Sequence, residues 1–153
     1  MSDVLKAVRL DGALYLNAEF SAPWCMRGRY GRASVRQRLA GAEHVVYFHL
    51  LTEGSCKVRL ADGGDVLDVA AGDLVLFPQD DRHLMGSDLH MAPLDAENWN
   101  GGNDPAPGLE PFRYGGGGTV TRFVCGFLAC NRSMCRPLLD ALPRVLRIPI
   151  GDG

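Results

Sequence analysis

No run in these 153 residues approaches the roughly 20 apolar positions that a bilayer-crossing helix needs, and nothing at the N-terminus resembles a secretory signal. The sequence therefore reads as a cytoplasmic chain with no membrane partner. An excess of one charge sign is also lacking: the formal net charge is −2 and the pI is near 6.0. A chain so balanced is a poor candidate to grip a phosphate backbone unaided. Cysteine is present but odd in number, five in all, which fits reduced thiols rather than a secreted disulfide scaffold. What the chain has in quantity is punctuation. Nineteen glycines and nine prolines suit short strands and many turns better than a helical bundle.

Read along the chain, Ser2 to Val8 suggests a short capped helix that stops at Asp11-Gly12. Leu14, Leu16, Ala18 and Phe20 then alternate with Tyr15, Asn17 and Glu19 as a half-buried strand, ended by Pro23. Residues 27–41, rich in arginine and without a period, read as a long exposed connection. Val45–Leu51 is a strand, Glu53-Gly54 a turn or bulge, and Cys56, Val58 and Leu60 alternate with Lys57 and Arg59 as the next strand. Asp62-Gly63-Gly64 predicts a hairpin, Ala71-Gly72-Asp73 a tight corner, and Leu74–Phe77 a buried strand stopped by Pro78. Residues 92–118 form a long proline- and glycine-rich loop. The Gly115–Gly118 run lacks the Gly-Lys-Ser/Thr ending of a phosphate loop. Thr119–Ala129 returns as a strand, Arg136–Leu142 as one or two helical turns with Pro137 at the start, and Val145–Ile150 as a final edge strand. The whole, residues 1–153, is one all-β domain, a sandwich or small barrel.

Gly72-Asp-Leu-Val-Leu-Phe-Pro78 with His83 resembles the second signature of the cupin superfamily: a glycine, a strand, a proline and an inward histidine. Asp80 stands where that signature has a further glycine. The first cupin signature is poorly matched. Gly54 fits its closing glycine, but Tyr47 stands in place of the glutamate ligand, and no histidines precede it in the arginine-rich stretch. The resemblance thus implies an antiparallel cupin or jelly-roll barrel without the usual metal cage. A narrower resemblance runs over nearly the whole chain, through Gly12–Tyr15, Ser21–Trp24, Phe48–Gly54, Ala71–Pro78, Val124–Gly126 and Pro137–Pro143. These stretches are similar to the N-terminal, cupin-6-type domain of AraC/XylS transcription regulators. That likeness implies a non-catalytic domain that senses a small-molecule effector and forms a homodimer. DNA would be bound only through a C-terminal helix-turn-helix domain lying beyond Gly153. The alternative is a small metal-dependent cupin enzyme, a dioxygenase or isomerase.

Tyr47, His49, Phe77 and His83 are the expected lining of the ligand pocket, since His49 shares a face with Tyr47 and His83 begins the return strand. Trp99 is a candidate lid from the long loop, and Trp24, beside Pro23, a structural anchor. His44 and His90 read as surface residues. Cys56 reads as core packing. Cys130 and Cys135 flank a polar Asn131–Met134 turn beside Arg132 and Arg136. With Cys25 they are candidates for a structural zinc, and with each other for a redox pair. Cys125 reads as core, although the resemblance attaches oxidant sensing to a cysteine at this place.

Overall fold

A computed structural model describes residues 11–28, 44–95, 112–130 and 132–151. The opening helix expected before Asp11, most of the arginine-rich connection and Trp99 lie outside these residues. The strands run β1 (Asp11–Ser21), β2 (Cys25–Gly28), β3 (His44–Glu53), β4 (Ser55–Leu60), β5 (Leu67–Ala70), β6 (Asp73–Phe77), β7 (His83–Gly86), β8 (Leu94–Asp95), β9 (Phe112–Gly115), β10 (Val120–Cys130) and β11 (Leu146–Pro149). One helix, α1 (Arg132–Leu139), follows β10.

The strands form two sheets, ordered β11-β6-β3-β10-β1-β9 and β5-β4-β7-β2-β8. Period-2 alternation turns one face of each sheet inward. Ala18 and Phe20 of β1, Val45, Tyr47 and Leu51 of β3, and Phe123, Cys125 and Phe127 of β10 meet Met26, Val58, Val69 and Met85 from the second sheet. Two pairings depart from the expected antiparallel pattern, because β1–β9 and β2–β8 are parallel. Both use strands from stretches that read as loop: β8 and β9 are short and sit at sheet edges, where few ladder bonds are required. β2 likewise replaces the start of the expected exposed connection, and its Cys25, Met26 and Gly28 are buried. A bulge between Leu14 and Leu16 breaks the alternation predicted for β1.

Where the chain turns, sequence and backbone agree. Gly63 and Gly64 take positive φ in the predicted hairpin. Asp80, standing where the signature has a glycine, holds φ at +54°, the left-handed region that glycine enters freely. The Gly115–Gly118 run is explained by close packing. Gly116 lies against Pro23 and Gly118 against the Ala22 carbonyl, leaving no room for a Cβ.

α1 begins four residues earlier than expected and carries Pro137 inside it rather than at its start. Cys135 and Leu139 pack from α1 onto Val46, on the outer face of the first sheet, with Leu76, Leu128 and Leu142 around them. β11 is the edge strand expected of the last apolar residues, paired antiparallel with β6.

Candidate functional site

β3 and β10 pair so that His49 lies directly opposite Cys125, and β3 and β6 so that Tyr47 lies opposite Phe77. All four side chains point between the sheets. His83, first residue of β7, faces them from the second sheet, positioned by the Pro78–Arg82 turn. Tyr47, His49, Phe77, His83 and Cys125 are each at most 1% exposed. The structure therefore gathers four of the five expected pocket residues into one buried cluster. It adds Cys125, which the sequence reads as core and the resemblance as an oxidant-sensing position rather than as a pocket residue.

The cluster is wired end to end. His49 Nδ1 lies 2.7 Å from Cys125 Sγ, His49 Nε2 lies 2.8 Å from His83 Nε2, and His83 Nδ1 lies 3.1 Å from the Asp81 carbonyl. A carbonyl can only accept, so His83 Nδ1 carries a proton and donates it. In the neutral ring His83 Nε2 is then bare and accepts from His49 Nε2–H, which leaves His49 Nδ1 to accept from the Cys125 thiol. One set of tautomers satisfies every group with all three side chains uncharged. The electrostatics agree. Burial holds His49 well below the ordinary imidazole range, with His83 pushing the same way, and lowers His83 to about 4. Burial likewise pushes the Cys125 thiol far up, against a smaller opposing effect of a hydrogen bond from Tyr47. Rings fix the geometry. His83 stacks on Phe77 at 3.7 Å and 12°, and Tyr47 meets His49 edge-on at 4.8 Å.

The other cysteines do not assemble. Cys25 alternates with the inward Met26 and so points to the outer face of the second sheet, while Cys135 is buried against the outer face of the first. The whole sandwich separates them, so the expected zinc set of Cys25, Cys130 and Cys135 is not brought together. Cys130 closes β10 opposite His44, and its side chain lies outside the described part. The polar turn expected to hold Cys130 and Cys135 as reactive thiols is largely the first turn of α1, and Cys135 is 2% exposed. Cys56 is core, as expected, its thiol pushed up to about 12 by burial. Oxidants and metals need thiolates, and burial works against them at Cys125 and Cys56 alike. Trp24 is fully buried, as an anchor should be. His90 is exposed, whereas His44, expected at the surface, is half-buried with Nε2 2.6 Å from the Pro78 carbonyl.

Two facing sheets, the Gly72–Pro78 strand and an inward His83 are the frame that the sequence resemblance implied, and the whole chain, residues 1–153, matches the family profile described as Cupin. The chain belongs to the Cupin_6 family. Among solved structures this cupin is similar to the protein YhaK from Escherichia coli, at 8% identity and a TM-score of 0.50, over 98% of this chain and 54% of that one. It also matches ToxT from Vibrio cholerae at 8% identity and a TM-score of 0.41, over 92% of this chain and 42% of that one. The cupin thus spans about half the length of these chains, and the likeness to YhaK is one of fold. No curated protein matches it.

Cupin signatures imply a metal cage, and the donors among the described residues do not fit one. The facing nitrogens of His49 and His83 lie 2.8 Å apart and are engaged with each other. Tyr47 supplies no carboxylate where the signature has glutamate. Among the described residues no group of three or more His, Cys, Asp or Glu side chains could hold a metal ion.

Proposed function

We propose that this cupin is the effector-sensing domain of an AraC/XylS-type transcription regulator, and that it is not itself a catalyst. The observation that carries this reading is the His49–His83 hydrogen bond, which joins one sheet to the other where the cupin frame would place a metal. A small molecule that inserts beside this bond, or competes for it, alters the relation between the sheets. On this reading the relation between the sheets is what occupancy biases. The reading is supported by family membership and by the regulator-like stretches from Gly12 to Pro143. It includes pairing with a second copy of the chain, and DNA contact only through a separate C-terminal domain.

Sequencing the reading frame beyond codon 153 tests the reading directly. Two helix-turn-helix segments are expected there, and a frame that encodes neither overturns it. The metal-dependent cupin enzyme is tested separately, by elemental analysis of protein purified without chelator. Stoichiometric iron, manganese or nickel would favour that alternative. Sedimentation equilibrium checks the pairing, with a dimer expected at micromolar concentration.

A further inference from the structure

Polar side-chain atoms are few between the two sheets, and their hydrogen bonds can be followed one by one. Thr121 Oγ1 donates to the Ser55 carbonyl at 3.0 Å. The Asp73 carboxylate accepts from the Ala70 backbone N–H at 2.9 Å. His49, His83 and Cys125 satisfy one another, and Tyr47 bonds the Cys125 sulfur. The exception in the described core is the indole N–H of Trp24, which is buried without a partner. The other orphan, Arg59 Nε, belongs to the outward row of β4, alternating with Val58 and Leu60.

This donor is rigidly mounted. The Trp24 backbone N–H donates to Ser87 Oγ at 2.8 Å, and its carbonyl accepts from the Ser87 N–H at 3.0 Å. Phe20 meets the indole edge-on at 4.8 Å, and Phe123 stacks on it at 5.7 Å. Held this way, the ring has little freedom to turn its N–H towards a protein acceptor. A buried donor left unmet is costly, and phenylalanine would fill much of the same space without that cost. Phe123 also meets His49, with centroids 5.7 Å apart at 88°, so a single ring, Phe123, lies between the Trp24 indole and the inter-sheet histidine pair.

We propose that Trp24 Nε1–H is the hydrogen-bond donor of the effector subsite, and that the ligand is a small, largely apolar, uncharged molecule bearing a carbonyl oxygen. This deepens the sensor reading and rests on it. The chemistry of the core selects the class. The aromatic surroundings favour an apolar body, and the unpartnered group of the described core is a donor, so the ligand must bring an acceptor. Both histidines are neutral, and the buried polar or charged side chains among the described residues, His49, Asp73, His83 and Thr121, include no lysine or arginine, so a carboxylate would enter without compensation from them.

The test uses the 153-residue chain with 15N-labelled tryptophan, and its two indole resonances are told apart by comparison with the Trp99→Phe variant, which lacks one of them. Acetophenone, ethylbenzene and benzoate are the probes. Acetophenone is expected to move the indole N–H resonance downfield saturably, whereas ethylbenzene causes no such hydrogen-bond shift and benzoate does not bind. Adding Trp24→Phe should weaken acetophenone binding about tenfold, the worth of one ordinary hydrogen bond, and change ethylbenzene binding far less. The proposal is overturned if no probe moves the indole resonance. It is equally overturned if that proton stays bonded to a trapped water with acetophenone bound. The resonance is read in a chain that retains Trp24, so the outcome does not depend on the Trp24→Phe variant folding. The regulatory reading falls on the reading frame and the subsite on this resonance, so the two failures are distinguishable.

Discussion

Acid should loosen this domain before its carboxylates titrate. His83 is neutral and buried, with a folded pKa of about 4 against an ordinary 6.5. Its folded pKa is depressed, so its contribution is fully present above pH 6.5 and is lost as the pH falls towards 4, because the unfolded chain takes up the proton first. Between pH 7.5 and 5.0 His83 alone removes about 2 kcal/mol of stability, worked from those two values. His49 acts in the same direction, its pKa lowered by burial and by His83. Glu19, held below the usual carboxylate range by Arg122 and Arg113, loses its contribution only at lower pH, so the histidine window is separate. Against an unfolding free energy of about 5–15 kcal/mol this is a large fraction. Urea denaturation followed by tryptophan fluorescence at pH 7.5, 6.5, 5.5 and 5.0 is the assay. With a slope of about 2 kcal/mol per molar urea, the midpoint should fall by at least ~1 M. The His83→Phe variant should start lower at pH 7.5, by about 1–3 kcal/mol, because the His49 N–H loses its acceptor. It should then lose less on acidification. A midpoint that stays flat from pH 7.5 to 5.0 would refute the neutral, buried pair.

Gly86→Ala should disrupt the β2–β7 pairing, because its Cβ would run into the Trp24 carbonyl and the Cys25 backbone; Gly63→Ala, with open space around it, should cost only backbone strain. Thermal melts of the two variants should differ by several degrees, and equal melting points would contradict the packing. Cys56 and Cys125 should resist a soluble thiol reagent in the native state and react only after urea is added. Rapid native labelling of either, located by mass spectrometry, would contradict their burial. Leu139→Ala should cost about 2–5 kcal/mol and free α1 from Val46 and Leu76. Hydrogen exchange confined to residues 132–142 is the readout, and unchanged protection there would show that the helix is held otherwise.

Much of the sandwich is legible in the sequence because alternation and turn glycines are local signals. Val45–Leu51, Leu74–Phe77 and Thr119–Ala129 declare themselves strands through their own residues, and Gly63-Gly64 a turn through theirs. β8 and β9 are not legible. Two to four residues carry no period, and parallel pairing to a distant strand leaves no mark on either partner. Pro137 is a local start signal that points to the wrong helix boundary, because the position of α1 is set by Cys135 and Leu139 packing on the outer sheet face. At the site, period-2 alternation aims His49 and His83 inward. Their direct bond depends on how closely the two sheets approach, and Cys125 joins them through a register 76 residues away in sequence. The orphan on Trp24 is likewise invisible in the sequence, since the lack of a partner is a property of the whole core.

The bond from His49 Nε2–H to His83 Nε2 joins the two sheets within the buried cluster and underlies the sensor reading. In protein labelled with 15N-histidine, NMR can assign both tautomers and detect the nitrogen–nitrogen coupling that passes through an N–H···N hydrogen bond. At pH 7.5 the expected result is His49 protonated on Nε2, His83 protonated on Nδ1, and a coupling between their Nε2 nuclei. Both rings carrying Nε2–H with no coupling, or both Nε2 nuclei shifted by a bound metal, would contradict it.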